Sequence, residues 1–189
     1  VVIKLSPLID ISYLLSVLQN VTEIHIVAVK NDVKEILVIQ EKEFQVEEIM
    51  IKTVNLESEE SNFEFGIKAL EEASASFGCN EDYLYIPNNA ILKSGAFNLI
   101  SSYFNLKKLH PNSHFYTSNQ LVESFPGRVL RVKSINAKEI KKGDKFNIIA
   151  KNYPLKPEEI KKKYKLIDGG DTYLIFTQDQ KGKVILQSI

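Results

Sequence analysis

In its first 60 residues the chain alternates short β-branched runs with stretches of helical spacing, and this rhythm restricts it to an α/β sheet covered on both faces. Val1 to Leu5 (V-V-I-K-L) reads as a buried strand closed by Ser6-Pro7. Leu8, Ile11, Leu14, Leu15 and Leu18 then recur at three-to-four spacing and predict a helix over Ile11 to Asn20, with Asp10 where an N-cap belongs. EIHIVAVK (Glu23 to Lys30) is almost continuously apolar after its first residues, as a strand covered on both faces must be. Asn31-Asp32 is expected to cap a short helix facing inward through Val33, Ile36 and Leu37, and EIMIKTVNL (Glu48 to Leu56) is the next strand. Three strands are too few for such a sheet to stand alone. A buried strand at the first residue therefore points to a preceding part of the sheet.

The acidic stretch ESEESN (residues 57–62) marks a boundary. Beyond it FEFG is a brief strand, Lys68 to Ala75 a short helix, and YLYIP (Tyr83 to Pro87) a strand stopped by proline. Asn88 or Asn89 caps a predicted helix with Leu92, Ala96, Leu99, Ile100 and Tyr103 on one stripe, ending near Asn105. SHFYTS (Ser113 to Ser118), RVLRVKSI (Arg128 to Ile135) and FNIIAKNYP (Phe146 to Pro154) read as strands, with a short helix over Ala137 to Lys142. LKPEEIKKKYKL is a helix with Pro157 in its first turn, Glu158 and Glu159 following, and lysines toward its C-terminus, an order that suits the helix dipole. Gly169-Gly170-Asp171 is expected as a turn before a hairpin, TYLIFTQ-DQKG-KVILQS.

At 189 residues and 44% hydrophobic content the chain can bury one or two cores, which excludes disordered and fibrous classes. A single cysteine, Cys79, rules out an internal disulfide framework, and no apolar run approaches the roughly 20 residues of a membrane span, so a cytoplasmic location is the expectation. The net charge of zero is a cancellation: residues 1–60 carry −6, residues 61–105 carry −3, and residues 106–189 carry +9. A basic C-terminal module fits a polyanionic partner such as RNA. Lysine-rich surfaces also serve solubility, and charge alone does not separate the two.

No glycine-rich turn opens a helix, so a phosphate-cradling nucleotide motif is not present. His110 and His114 are four apart, but Pro111 between them prevents a helical metal-ligand face, and no metal is expected. His25 lies in a strand, Cys79 stands near no obvious base, and no hydrolase or kinase signature occurs. Nucleic-acid binding remains. Phe115, Tyr116, Phe146, Tyr153, Tyr164 and Tyr173 interleave with the basic residues, but each lies in a pattern that sends it to the core. The cations are the stronger candidates.

The runs IKLSPLIDI, EIHIVAVKNDVKEIL, YLYIPNNAILKSGAFNLIS, KLHPNSHFYTS, FPGR and KNYPLKPEEIKKKYKLIDGGDTYLIFT, in this order, resemble the C-terminal part of bacterial class I S-adenosylmethionine-dependent methyltransferases of a Bacteroidetes type with a THUMP-like domain. The resemblance implies α/β and α+β architecture. Residues 1–60 would be the C-terminal strands and helices of a Rossmann-like methyltransferase core, 61–124 a ferredoxin-like segment and 125–189 a small THUMP-like domain. Val1 to Leu5, Glu23 to Lys30 and Glu48 to Leu56 would be the fifth, sixth and seventh core strands. The first four strands, with the cofactor loop and catalytic motif, would lie in a missing N-terminal half.

The parent would then be a methyltransferase using S-adenosylmethionine on rRNA or tRNA, and this portion would recognise substrate without binding cofactor or transferring methyl groups itself. Ser6, Pro7 and Asp10 would edge the acceptor pocket, although Pro7 as a strand end and Asp10 as a helix cap is the favoured explanation of these residues. Arg128, Arg131, Lys151, Lys161, Lys162, Lys163 and Lys93 are the expected RNA contacts. An exposed sheet edge could pair two copies, and no membrane partner is expected. The competing reading is a protein-interaction module whose lysines serve only solvation.

Overall fold

The computed structural model describes residues 1–42 and 47–189, which divide into two compact units. The first comprises Val1–Ala75, Pro87–Asn105 and Ser124–Arg128, and the second Ser76–Ile86, Leu106–Glu123 and Val129–Ile189. Among the described residues no helix is long and apolar enough to cross a membrane.

The first unit is built on strands β1 (Val2–Leu5), β2 (Val21–Val29), β3 (Asp32–Gln40), β4 (Met50–Leu56) and β5 (Phe63–Gly66), with helix α1 (Ile11–Val17) between β1 and β2 and α2 (Ile67–Glu72) after β5. The strands lie in the order β1-β3-β2-β4-β5, with β2 and β4 parallel and the other neighbours antiparallel. Asp10 caps α1 as expected, its Oδ1 accepting from Tyr13 N at 2.9 Å. That helix stops at Val17, short of the predicted Asn20, which takes a positive φ of 56° on the way into β2.

The helix expected at Val33 to Leu37 is instead strand β3. Lys30 and Asn31, at φ 49° and 64°, form a two-residue turn between Val29 and its partner Asp32, and both left-handed residues match the twist of a tight hairpin. A short apolar run satisfies either period, and here the hairpin decided it: Ile36 and Val38 are fully buried on one face, between β1 and β2. Counting along the chain, the third strand is thus Asp32–Gln40, and Glu48 to Leu56 holds the fourth.

Strand β6 (Ser76–Phe77) and strand β7 (Tyr83–Pro87) precede α3 (Asn89–Ser94) and α4 (Phe97–Tyr103). The stripe from Leu92 to Tyr103 was expected on one helix. The chain breaks it at Gly95, whose φ of 77° closes α3 with a left-handed cap that only glycine adopts without strain. Helix α3 packs across β2, β3 and β4 and buries Ala90 and Ile91; Ile24, Ile26, Ala28 and Ile51 are buried on β2 and β4. Its cap residue Asn88 belongs to a chain of amides: Asn88 Nδ2 and Asn55 Nδ2 both donate to Glu60 Oε2, at 2.9 and 2.8 Å, and Asn55 Oδ1 accepts from Asn31 N at 2.8 Å.

The opposite face of this sheet carries an ionic cluster. Glu23 Oε2 lies 2.6 Å from His25 Nε2 and 2.8 Å from Lys52 Nζ, with His25 and Lys52 paired across β2 and β4. Lys52 first, then His25, hold the Glu23 carboxyl below the usual carboxylate range. A depressed carboxylate stabilises the fold above its unfolded pKa and loses that contribution as pH falls through the folded value. In acid titrations followed by circular dichroism, Glu23→Gln is therefore expected to lose less stability than the parent below about pH 4, the ordinary range of a glutamate.

Candidate nucleic-acid interface

The second unit holds an eight-stranded sheet. It adds β8 (Lys107–Lys108), β9 (Tyr116–Ser118), β10 (Gly127–Ser134), β11 (Lys145–Ala150), β12 (Ile167–Asp179) and β13 (Gly182–Ser188), in the order β11-β12-β13-β10-β7-β9-β8-β6. Strands β11 and β12 are parallel, and β12 and β13 form the predicted hairpin. Between β11 and β12 in sequence runs α5 (Pro157–Tyr164), where Pro157 opens the helix and Lys156 N donates to Glu159 Oε2 at 2.7 Å.

Gly169-Gly170-Asp171 does not precede β12 but lies inside it. Phe146 pairs with Asp168 and Asn147 with Tyr173, so residues 169–172 bulge out of the ladder; Gly169 and Gly170 supply φ of 106° and 87°, and Asn147 Nδ2 donates to Gly170 O at 2.6 Å. The glycines serve backbone geometry, as the sequence suggested, though within a strand. The short helix expected over Ala137 to Lys142 is a single 3₁₀ turn, Ala137–Glu139, capped by Asn136.

The two faces of this sheet differ. One buries Leu84, Leu109, Phe115, Val132, Ile175 and Leu186. The other buries Phe146, Leu174 and Phe176 beneath Ile160 of α5, with Tyr153, Tyr164, Ile185 and Ile135 packed around them. Strand alternation then assigns β10: Val132 belongs to the first face and Ile135 to the helix-covered face. Arg131 and Lys133 share the parity of Ile135, and both are exposed. Helix α5 packs on β11, so β10 at the far side of β13 presents these two cations on the helix side of the sheet.

The other expected contacts are dispersed. Lys162 and Lys163 are exposed on α5, Lys163 with its ammonium 5.4 Å from the Tyr164 ring centre. Lys161 is held by Asp168 at 2.7 Å. Lys151 follows β11, Arg128 opens β10 and, with Lys93 of α3, is counted in the first unit. In α3 the Ser94 hydroxyl is spent on the helix end, donating to Ile91 O at 2.7 Å. Ser6 Oγ accepts from Leu8 N at 3.3 Å and Asp10 caps α1, so both are engaged in local turns at the end of β1.

Phe115, Tyr116 and Phe146 are buried, while Tyr153, Tyr164 and Tyr173 pack against the two clusters. That leaves cations, and no open aromatic platform from this set, for a polyanion. Lys133 escaped the sequence reading; its alternation with buried Val132, two residues from Arg131, was the signal that could have found it. Among the described residues no group of three His, Cys, Asp or Glu side chains could hold a metal ion. His110 Nδ1 instead accepts from Asn112 N at 3.1 Å and Asn152 Nδ2 at 3.0 Å, an arrangement that places the ring proton on Nε2.

Comparison with known proteins matches residues 83–126 to a ferredoxin-like domain and residues 127–187 to a THUMP domain-like family. Among solved structures, the chain is similar to the crystal structure of a "putative methyltransferase from Porphyromonas gingivalis W83", with a TM-score of 0.87 and 33% sequence identity. The match covers 98% of this chain and 49% of that one, so the chain spans about half the length of its relative. A comparison with curated proteins found no match. The mixed α/β architecture and the resemblance read from the sequence are borne out by these matches.

Proposed function

We propose that this chain, which carries a ferredoxin-like and a THUMP-like domain and shares its fold with the Porphyromonas gingivalis protein, is the C-terminal, substrate-recognising portion of an S-adenosylmethionine-dependent methyltransferase acting on rRNA or tRNA. In this reading residues 1–60 close the methyltransferase sheet, 61–124 form the ferredoxin-like segment and 125–189 the THUMP-like domain. The observation that carries the RNA assignment is the exposed pair Arg131 and Lys133 on β10, within the THUMP-like match and a region of charge +9.

Two features of the first unit support a partner half. Among the described residues strand β1 has a neighbour on one side only, and Val2 of that strand and Leu8, Tyr13 and Val17 after it are exposed apolar residues. The cofactor would belong to that half: among the described residues no glycine-rich turn leads from a strand into a helix, and Ser6 and Asp10 at the end of β1 already serve local hydrogen bonds. S-adenosylmethionine would supply the methyl group. This chain's contribution would be to hold the RNA, with Ser6, Pro7 and Asp10 at the acceptor-pocket edge.

Fluorescence anisotropy with tRNA and rRNA fragments tests the reading. Affinity should fall steeply with salt, because phosphate contacts release counterions. Arg131→Ala combined with Lys133→Ala should weaken binding about tenfold or more and lower the salt slope by about two, one for each phosphate contact. Absent or salt-insensitive binding would return the chain to a protein-interaction module.

A further inference from the structure

The sheet of the second unit sets a tyrosine directly beside the cations of β10. Val132 N donates to Asp82 O at 2.8 Å, and at the other end of the two strands Asn88 N donates to Pro126 O at 3.1 Å. The two bonds are equally far apart along both strands and run in opposite directions, so β7 and β10 are antiparallel without a bulge, and Tyr83 stands opposite Arg131. The Arg131 carbonyl accepts from Ile189 N at 3.0 Å, on the β13 side. Tyr83 and Arg131 are therefore a non-hydrogen-bonded pair, the closer kind, with Cα atoms about 4.5 Å apart.

Leu84 packs into the first face with Leu130 and Val132, so alternation puts Tyr83 on the helix-covered face with Arg131 and Lys133. The two cations are exposed and Tyr83 is half-buried. The next residue on that face of β7, Tyr85, is fully buried, with its hydroxyl donating to Gln120 O at 2.5 Å; Tyr83 keeps part of its surface in solvent. Across β9 its partner is Ser118, a short side chain. Of the acids before β7, Asp82 has the parity of Leu84, and Glu81 is neutralised by Lys107 Nζ at 2.5 Å. Cations alone suit any polyanion. A ring beside them matches a ligand that carries a flat apolar group next to each phosphate, which is a nucleotide.

We propose that Tyr83 stacks an unpaired base of RNA while Arg131 and Lys133 hold the neighbouring phosphates, so that the site selects single-stranded over double-helical RNA. The role given to Tyr83 rests on the RNA reading of β10 and adds a base contact to its phosphate contacts. Arg131 and Lys133, alternate residues of one strand, are about 7 Å apart and set a line along which the backbone runs. In a duplex the faces of the bases are already stacked on one another, and Tyr83 has nothing to cover. Tyr83 stands at the start of the ferredoxin-like match and the two cations lie in the THUMP-like match, so the contact draws on both.

The chain has no tryptophan, so Tyr83→Trp in the full chain supplies a single indole at the stack. Titration with a single-stranded oligouridylate should quench its fluorescence saturably. Inorganic polyphosphate, which offers phosphates without bases, should not, and an RNA duplex of the same length should bind more weakly. Tyr83→Leu keeps an apolar side chain on the strand and removes the ring; it should weaken oligouridylate binding about tenfold and leave polyphosphate binding unchanged. Its salt slope should equal that of the parent, because stacking releases no counterions, whereas Arg131→Ala should lower the slope by about one. Tyr83→Phe, with the ring retained, should bind like the parent.

RNA binding that depends on Arg131 and Lys133, with no quenching of the introduced indole and no loss in Tyr83→Leu, would overturn the stack and leave the RNA reading of β10 standing. Equal loss of oligouridylate and polyphosphate binding in Tyr83→Leu, or duplex binding as tight as single-stranded, would also overturn it. If the parent chain binds neither form of RNA, the RNA reading falls and the stack falls with it.

Discussion

Phe176→Ala is expected to destabilise the second unit by about 3–5 kcal/mol, the range for removing a large aromatic side chain from a core that cannot collapse. Phe176 is fully buried in β12, paired with Ala150 of β11 and Ile185 of β13. Its ring lies 5.3 Å from that of Tyr153 at 63° and 5.9 Å from that of Tyr164, with Ile160 of α5 in the same cluster. Strand pairing on both sides holds the backbone in place, so the void would persist and α5 would lose the surface it rests on. Since α5 carries Lys162 and Lys163, the proposed RNA binding should weaken with stability. Urea denaturation monitored by circular dichroism checks the size, with Ile167→Ala as comparison. Ile167 is 48% exposed and its truncation should change little. Equal effects from the two substitutions would contradict the placement of Phe176.

Asn88→Ala should cost the first unit about 2–3 kcal/mol, because it removes a helix cap and also leaves a part-buried carboxylate oxygen short of one donor. Asn88 is 3% exposed; its Oδ1 accepts from Ile91 N at 3.0 Å, and its Nδ2 is one of the two amides on Glu60 Oε2. Asn88→Asp keeps the cap oxygen but sets a second carboxylate against Glu60. At neutral pH it should be destabilised nearly as much as the alanine variant, and it should recover as pH drops through the carboxylate range, where a protonated oxygen can donate again. Thermal unfolding of both variants at pH 7 and pH 4 distinguishes these outcomes. Equal pH dependence in the two would mean that Glu60 does not face residue 88.

How far the sequence reached depended on whether the deciding interaction was local. Asp10 at the start of α1, Pro157 at the start of α5, YLYIP as a strand and the hairpin of β12 and β13 could all be read from residues a few positions apart. Val33 to Leu37 could not. Its apolar spacing suits a helix, and only the left-handed Lys30-Asn31 turn and the slot between β1 and β2 made it a strand. The Leu92 to Tyr103 stripe failed for a related reason: α4 buries Leu99 and Ile100 from it, but α3, which ends at Gly95, buries Ala90, Ile91 and Ser94 instead, so the spacing joined residues of two separate helices.

The candidate sites divide in the same way. Arg131 stood out as a cation in a basic segment, but its exposure beside Lys133 follows from which face of β10 Val132 fills. Lys151 was marked as a phosphate contact, whereas its place next to Asn152, whose amide reaches His110 more than 40 residues away in sequence, depends on a loop closed by β8 and β9.

The sequence by itself determined the α/β and α+β composition, the acidic-to-basic change along the chain, the absence of a nucleotide loop, and the family resemblance that the ferredoxin-like and THUMP-like matches bear out. Those properties reside in residue identity and near-neighbour spacing. Tertiary structure alone decided that β3 lies between β1 and β2, that the Gly169-Gly170 pair bulges inside a strand, and that Asn152 reaches His110. Each of these results from pairing between segments distant along the chain, whose free energy comes from burial and ladder hydrogen bonds that no local pattern records.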